Sequence, residues 1–435
     1  MKPILKLAIF FLIYTPAIFS SSKTHIMVEP FTMLSGSSKE HSSYSFAIQE
    51  SIIADLCMIQ EITVITKTDR ENALKEVSLA QQGIIKENSA LQLGEFAGAE
   101  KIIRGSYQVL GDKIKIIAFY VDLKTATTES SVKLRGELTQ IHELQDKVVH
   151  NLLSGKKYSL TSIQNKIQKQ ESKSQDEKKV DLKVFDYFSK GLENLYVNNN
   201  TALHFFDKAI EVDASHDKAF MYAGYASALM GKLDKAIFYY NKAIKLFKAK
   251  DKQNTLDYAE LLNLAGSARY QQGLFMDAIP FFLESQKVFE KIGQSKSTSY
   301  ANVLYSLASV TLMQSDSPGA RKLYLDAKKI YDAKKMSSNS GYADLMFGLG
   351  YLKILDKDYK AAKNYYLFCK DSYEKNKMQN TRNYADTLFT LGQLYVSENQ
   401  KQIALDHFEK SILAYKKSGY KSEEEKVQKA IERLK

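Results

Sequence analysis

Apolar and small residues recur every 42 positions through the C-terminal half of this chain, each time in the same order. A tyrosine–alanine pair is followed by another alanine twenty residues after the tyrosine, and then by aromatic residues four and eleven positions further on. Offsets of 4 and 11 place side chains on one face of an α-helix. The tyrosines are Tyr258, Tyr300, Tyr342 and Tyr384. Self-similarity at a fixed period predicts a solenoid of stacked helix pairs, which presents long surfaces rather than closed pockets.

The same register continues upstream of the first pair. Ala236 and Tyr240 keep the 42-residue spacing, and Ala202 and Phe206 precede them by 34 residues. Residues 220–243 resemble the tetratricopeptide repeat (TPR), a helix–turn–helix unit of 34 residues. The later units are similar to the 42-residue variant of kinesin light chains and some bacterial regulators. We therefore predict about six repeats over 182–420, closed by a charged capping helix over 421–435.

The N-terminal half has a different pattern, in which short β-branched runs alternate with amphipathic stretches. The resulting order is βαβααβββα, so the fold class is α+β: an N-terminal α/β sandwich-like domain over 23–153, then an all-α TPR superhelical solenoid. Asp69 is predicted to be the N-cap of the second helix. Strands are predicted at 26–31, 62–66, 101–110, 113–122 and 127–135, and helices at 44–58, 69–82, 89–96 and 141–153.

A series of short motifs in this half suggests a family. Residues 93–99 read LGEFAGA, residues 103–107 read IRGSY, and residues 111–116 read GDKIKI. With the IHELQD stretch at 141–146, the series resembles the amino-terminal domain of TolB and the related domain of CsgG and FlgO proteins. The resemblance implies an envelope protein whose small domain mediates protein contacts. Pore formation and membership of the Tol complex do not carry over, because the chain lacks the lipid-acceptor cysteine and continues into helical repeats.

The first 22 residues have the pattern of a signal peptide. Lys2 and Lys6 precede an apolar run over 7–19, and three serines follow it at the expected cleavage region. An uncleaved membrane anchor is the alternative, although the run is short for a bilayer span. We expect an exported protein that is periplasmic, with outer-membrane association left open, and that has no membrane span after signal cleavage.

Residues 154–181 are rich in Lys, Gln, Ser and Glu, so a polar linker containing a solvated helix is predicted, with relative motion of the two domains. The N-terminal and C-terminal parts of the chain differ in net charge. Residues 23–153 carry 14 Lys and Arg against 17 Asp and Glu, while residues 154–435 have a net charge of +12. Solvated helix faces explain such a bias more simply than an anionic partner, and nucleic acid is not expected for an exported protein.

No catalytic pattern emerges from the sequence. The seven histidines form neither an HxH nor an HExxH pair, and neither a GxxxxGK[ST] loop nor a GxSxG elbow occurs. We therefore expect no enzyme activity, no cofactor and no metal site. Cys57 and Cys369 are interpreted as small apolar packing residues, with a disulfide between them as the alternative in an oxidising compartment.

The repeat register also predicts a binding groove, because tetratricopeptide repeats contact partners mainly through the first helix of each unit. One row of polar residues follows the tyrosine–alanine pairs, and a second row becomes aromatic towards the C-terminus. Such a groove suits a segment with apolar anchors and some positive charge, although packing between repeats explains the second row equally well. The candidate residues are Glu260, Asn263, Asn302, Tyr305, Asp344, Phe347, Tyr351, Asp386 and Phe389.

These patterns together predict a non-catalytic exported TPR scaffold that mediates protein–protein interactions in the bacterial cell envelope. One alternative is a ligand-binding sensor accessory or envelope enzyme subunit that acts through the N-terminal domain. Another is a cell-wall or lipopolysaccharide binder that uses the basic C-terminal half, whose binding would depend strongly on salt. The sequence does not indicate an oligomeric state.

Overall fold

A computed structural model describes residues 23–70, 97–334, 340–418 and 420–434. The signal segment predicted over 1–22 lies outside the described residues. So do the helix predicted at 89–96 and most of the helix predicted at 69–82. Within the described residues the fold is α+β, with a mixed N-terminal sheet followed by a helical solenoid.

The N-terminal sheet has the spatial order β3-β1-β4-β5-β6, and β2 pairs with β4 beside this path. β1 lies parallel to β3 and β4, whereas β4, β5 and β6 form an antiparallel meander. The strands are β1 (Thr24–Val28), β2 (Thr32–Met33), β3 (Ile62–Val64), β4 (Lys101–Leu110), β5 (Lys113–Asp122) and β6 (Thr127–Glu137). The strand predicted at 26–31 is thus earlier and shorter than expected, and β2 was not predicted.

Two helices, α1 (Tyr44–Leu56) and α2 (Ile141–Leu153), cover one face of the sheet. Alternation along β5 explains the choice of face: Ile114, Ile116, Ala118 and Tyr120 are buried, while the residues between them are only partly covered. These side chains form one core with the buried faces of α1 and α2. The predicted strand–helix order is correct for all the described elements of this domain apart from β2.

The stretch predicted as a linker is helical and packs on the N-terminal domain. It contains α3 (Thr161–Glu171) and the start of α4 (Gln175–Asn194). Lys166 of α3 forms ion pairs with the buried carboxylates of Asp55 and Asp146, the second at 2.9 Å. These contacts fix α3 on the domain, so the polar composition of the stretch reflects ion pairing as well as solvation.

Six helix hairpins and a final helix form the described part of the solenoid. The first helices of the hairpins are α4, α6 (Asp217–Leu229), α8 (Leu256–Gln271), α10 (Thr298–Met313), α12 (Ser340–Leu355) and α14 (Arg382–Ser397). The second helices are α5 (Asn199–Val212), α7 (Leu233–Ala249), α9 (Phe275–Lys291), α11 (Ser317–Ala333), α13 (Tyr359–Lys375) and α15 (Lys401–Ser418). The last helix, α16 (Lys421–Leu434), buries Val427 and Ile431 against the array and exposes its charged face.

Close backbone approach within the hairpins explains the small residues of the repeat. A Cβ added at Gly392 would lie 2.4 Å from the ring of Phe408, and one at Gly266 would lie 2.7 Å from Phe282. Each glycine therefore makes room for the aromatic residue of the second helix. The sequence register pairs these positions in the same way.

The domain and the solenoid have separate hydrophobic cores, and α4 contributes to both. Phe185 belongs to the core of the domain, whereas its neighbour Val184 belongs to the core of the solenoid. Cys57 and Leu192 are partly buried and pack against both cores. Cys57 and Cys369 are both free, so the disulfide considered above is not formed. Among the described helices, none is long and apolar enough to cross a membrane.

Candidate functional site

The first helices α8, α10 and α14 begin at capped ends that position their tyrosines. Ser297 accepts a hydrogen bond from the backbone N–H of Tyr300, and Thr381 does the same for Tyr384. The buried tyrosines then donate to carboxylates ten residues upstream on the preceding helix. Tyr300 donates to Glu290 at 2.7 Å, and the equivalent pairs are Tyr342 with Asp332 and Tyr384 with Glu374. The repeated tyrosine therefore connects neighbouring units.

The predicted polar row lies on the first helices, but most of its members are already hydrogen-bonded. Asn302 accepts from the phenol of Tyr331 at 2.5 Å, Asp344 accepts from Tyr373, and Asp386 accepts from Tyr415. Each donor lies 29 residues later, on the second helix of the same hairpin. Burial raises the pKa of Asp344 and of Asp386. The row thus stabilises the hairpins and carries less free negative charge than its residue types suggest.

Glu260 differs from the rest of this row. The residue 29 positions later is Phe289, which has no hydroxyl group, and Glu260 instead accepts from Ser299 at 3.0 Å. Burial and the nearby Asp257 raise the pKa of Glu260 to about 7. This carboxyl group is therefore available for contacts that the later row members do not make.

The second predicted row is half-buried at the positions where it becomes aromatic. The ring of Phe347 meets Tyr366 edge-on with centroids 5.0 Å apart, and Tyr305 and Phe389 meet Tyr324 and Phe408 at 5.8 and 5.6 Å. One side of each ring therefore packs within its hairpin while part of it remains accessible. Tyr351, one helical turn beyond Phe347, is 42% exposed.

The start of the groove is occupied by the N-terminal domain, which the sequence did not predict. After β3, a helical turn at 67–70 places the Asp69 carboxylate at the N-terminus of α10. Asp69 accepts hydrogen bonds from the backbone N–H and the hydroxyl of Thr298, at 3.2 and 2.8 Å. The Lys334 ammonium lies 3.1 Å from the same oxygen. The N-terminus of α10 thus stabilises the Asp69 carboxylate, and the Lys334 ammonium group adds to this stabilisation.

Asp69 was expected to be an N-cap, and this prediction is wrong. The turn begins two residues earlier, and the hydroxyl oxygen of Thr66 accepts from the N–H of Asp69 at 3.0 Å. Thr66 is therefore the cap and Asp69 is the third residue of the turn. One carboxylate oxygen of Asp69 accepts from Thr66, and the other is directed at the solenoid.

Lys67 extends into the groove beside Asp69. Its ammonium group lies 5.3 Å from the ring centroid of Tyr222 and 5.7 Å from that of Tyr196, a cation–π arrangement. Lys67, Tyr222, Glu260, Asn263 and Asn302 are among the residues around a cavity of about 210 Å³. Three of the predicted groove residues therefore share one cavity with a side chain of the N-terminal domain.

Two further polar contacts fix the position of the domain. Lys218 of α6 binds Glu50 of α1 at 3.3 Å and Asp257 of α8 at 2.9 Å. The side-chain amide of Gln294 donates to the backbone oxygen of Val64 at 2.7 Å. The hydrogen bonds and ion pairs described here between domain and solenoid extend from Lys218 in α6 to Lys334 after α11.

Sequence comparison supports a class of protein for this helical array. Residues 218–250 match the tetratricopeptide repeat family, and this segment coincides with the α6–α7 hairpin. Together with the recurrence of the same hairpin along the chain, the match supports a tetratricopeptide-repeat protein. That repeat is generally a non-catalytic scaffold for protein interactions. No curated protein matches the sequence.

Several solved structures have a similar architecture. Pseudomonas aeruginosa pilF is 18% identical over 57% of this chain and 99% of that chain, with a TM-score of 0.40. The APC/C hetero-tetramer Cut9–Hcn1 is 16% identical over 91% of this chain and 64% of that chain, with a TM-score of 0.47. The Rap conjugation gene regulator of plasmid pLS20, in complex with the Phr* peptide, is 13% identical over 68% and 84%, with a TM-score of 0.45. At these TM-scores the structures support no functional inference.

No cluster of three or more His, Cys, Asp or Glu side chains suited to a metal ion occurs in the part of the chain that is described. Glu260, Asp257 and Glu50 are close enough to influence one another, but Lys218 and Lys67 lie among them. Lysine side chains of the protein itself therefore balance these carboxylates.

Proposed function

We propose that this chain is a non-catalytic, exported TPR scaffold that binds a protein or peptide partner along the groove formed by α12 and α14. The accessible edges of Phe347 and Phe389 are the observation that carries this proposal. They lie one repeat apart on successive first helices, beyond Lys334, where the described polar contacts with the N-terminal domain end. Half-buried aromatic residues in a concave surface are typical anchors for a bound segment.

The chemistry of this surface indicates a partner with apolar side chains spaced along an extended or helical segment. Tyr351 adds exposed aromatic surface beside Phe347. Asp344 and Asp386 lie in the adjacent row, but their tyrosine partners and raised pKa values reduce their capacity to attract a cation. Apolar contacts therefore dominate the proposed interaction, with charge as a secondary contribution.

The proposed location is the periplasm of a Gram-negative-type bacterium, with outer-membrane association as an alternative. It is supported by the basic start, apolar run and small residues of positions 1–22 and by the resemblance of the N-terminal domain to the TolB, CsgG and FlgO group. Fractionation of cells that produce the full chain tests the location. Recovery of the signal-bearing, full-length protein in the cytosol would contradict export.

Partner capture tests the groove itself. In a crosslinking pull-down from intact cells, we expect Phe347→Ala combined with Phe389→Ala to lose the captured partner while helicity and melting stay close to those of the wild type. A suitable control is Phe238→Ala with Phe368→Ala, which removes two partly exposed aromatic rings from second helices. If the groove variant melts much earlier than the control, these rings are core residues and the proposed surface is wrong.

A further inference from the structure

The contact between Thr66–Arg70 and the solenoid has the features of a bound ligand. Lys67 lies against two tyrosine rings, and two residues later Asp69 binds the N-terminus of α10 together with Lys334. Thr66, Asp69 and Arg70 are all buried. The solenoid therefore binds a short segment that carries a cation and a carboxylate at a fixed spacing.

The junction between domain and segment-binding groove is polar, in contrast to the interiors on each side of it. The two hydrophobic cores are distinct, and hydrogen bonds and ion pairs such as Gln294 with Val64 and Lys218 with Glu50 join them. Interfaces of this composition between domains resemble those of transient complexes.

We propose that the groove from α6 to α11 is a second partner-binding surface, which Thr66–Arg70 occupies in cis and which a partner segment of matching chemistry takes over by exchange. The matching segment carries a lysine or arginine and, two residues later, a carboxylate. This inference rests on the proposed partner-binding role of the solenoid, but it concerns different residues.

Each of the two charged groups has a defined binding site on the solenoid. The cation is received by the faces of Tyr196 and Tyr222, with Glu260 nearby, and the carboxylate is received by Thr298 and Lys334. Reversal of the order of the two charges would place the carboxylate among Glu50, Asp257 and Glu260. The groove therefore selects the direction of the segment as well as its charges.

A peptide-binding measurement on the full chain tests the exchange. The probe is a fluorescein-labelled peptide with the sequence of residues 61–70, EITVITKTDR. We expect it to bind a Lys67→Ala, Asp69→Ala variant at least about tenfold more tightly than the wild type, because the cis segment competes for the same surface. Fluorescence anisotropy measures the affinity, and a peptide with alanine at both charged positions is the control ligand.

Two matched variants assign the binding to this surface. We call the Lys67→Ala, Asp69→Ala protein the opened variant. Adding Lys334→Ala to it should weaken peptide binding at least about fivefold, as expected for loss of one charge-assisted hydrogen bond. Asp112→Ala with Lys113→Ala removes the same charges from the exposed β4–β5 turn and should bind the peptide no better than the wild type. The inference is overturned if the opened variant binds the peptide no more tightly than the wild type, or if Lys334→Ala leaves the affinity of the opened variant unchanged.

Hydrogen exchange verifies that the opened variant has lost the cis contact. The amide of Thr298 donates to Asp69 in the closed form, so its exchange should accelerate in the variant while the middle of α10 is unchanged. Unchanged exchange at Thr298 would show that these two side chains do not hold the domain in place, which also overturns the inference. Phe347→Ala with Phe389→Ala should leave peptide binding intact, so this inference and the proposed function can fail separately.

Discussion

Glu260 faces Phe289 at the position where the later repeats place a tyrosine hydroxyl opposite the polar row. Both residues border the same cavity, and Glu260 accepts a hydrogen bond from Ser299 instead. The equivalent positions in the next three units form phenol bonds to Asn302, Asp344 and Asp386. This departure from the later repeats leaves the carboxyl group of Glu260 without a phenol donor at the place where the N-terminal domain enters the groove.

Phe289→Tyr should restore the missing phenol bond. We expect the free energy of unfolding to rise by about 1 kcal/mol, because the new hydroxyl donates to a buried carboxyl group without displacing packed atoms. Urea denaturation measures the change. Tyr331→Phe is the matched control and should cost about 1 kcal/mol, since Asn302 loses its donor. A destabilised Phe289→Tyr variant would show that the two side chains do not meet.

Glu260 should make stability depend on pH between about 4.5 and 7. Burial, followed by Asp257, raises the pKa of Glu260 to about 7 in the folded protein, above its ordinary value of 4.5. The folded state therefore holds a proton that the unfolded state releases, so the contribution to stability is present below pH 4.5 and is lost as pH rises through 7.

Glu260→Gln removes this titration and tests the sign. The stability of the variant relative to the wild type should improve from pH 5 to pH 8, by up to about 3 kcal/mol. Only the difference between the two proteins is informative, because Asp146 also has a pKa of about 7. A difference that does not change over this range would rule out the assigned pKa.

Loss of Lys166 should destabilise the N-terminal domain at neutral and higher pH. Asp55 and Asp146 are buried and share this ammonium group, so its removal leaves uncompensated charge. We expect Lys166→Ala to lower the free energy of unfolding by about 3 kcal/mol at pH 8 and by less at pH 5, where Asp146, whose pKa burial raises to about 7, binds a proton. Lys169→Ala on the exposed side of α3 should change stability by under about 0.5 kcal/mol.

Gly392→Ala should disrupt one hairpin by overpacking. The added methyl group would lie 2.4 Å from the ring of Phe408, so α14 and α15 must separate or the ring must rotate. We expect a loss of about 1–3 kcal/mol in chemical denaturation. The combination with Phe408→Leu should recover part of the loss, and additive effects of the two substitutions would contradict direct contact.

The helices, strands and their order were largely predictable because they depend on local periodicity. Alternation in β5 and the offsets around Ala278 and Phe282 report which face is buried wherever the rest of the chain lies. The phenol bonds were accessible to the same reasoning, since Tyr331, Tyr373 and Tyr415 already stood in the repeat and Phe289 differs from them at the same repeat position. The register of the polar row predicted which residues lie on the first helices, but their hydrogen bonds to these tyrosines were not predicted.

Docking of the N-terminal domain could not be read from the sequence. Asp69 and Thr298 are 229 positions apart, and their contact is polar, so it leaves no hydrophobic pattern. Asp69 gave a local capping signal, which placed the helix start at the wrong residue. Residues 154–181 appeared solvated because Lys166 and its neighbours are charged, although ion pairs hold that stretch on the domain.

Because α4 belongs to both hydrophobic cores, it limits how far the N-terminal domain can move from the solenoid. A helix of 20 residues that packs Phe185 on one side and Val184 on the other remains attached to the first hairpin after the polar contacts break. The domain then stays bound to the solenoid through α4, so it cannot diffuse away. Thr66–Arg70 would remain near its receptor at a local concentration in the millimolar range. A partner must therefore either bind tightly or arrive at high abundance to keep the groove open.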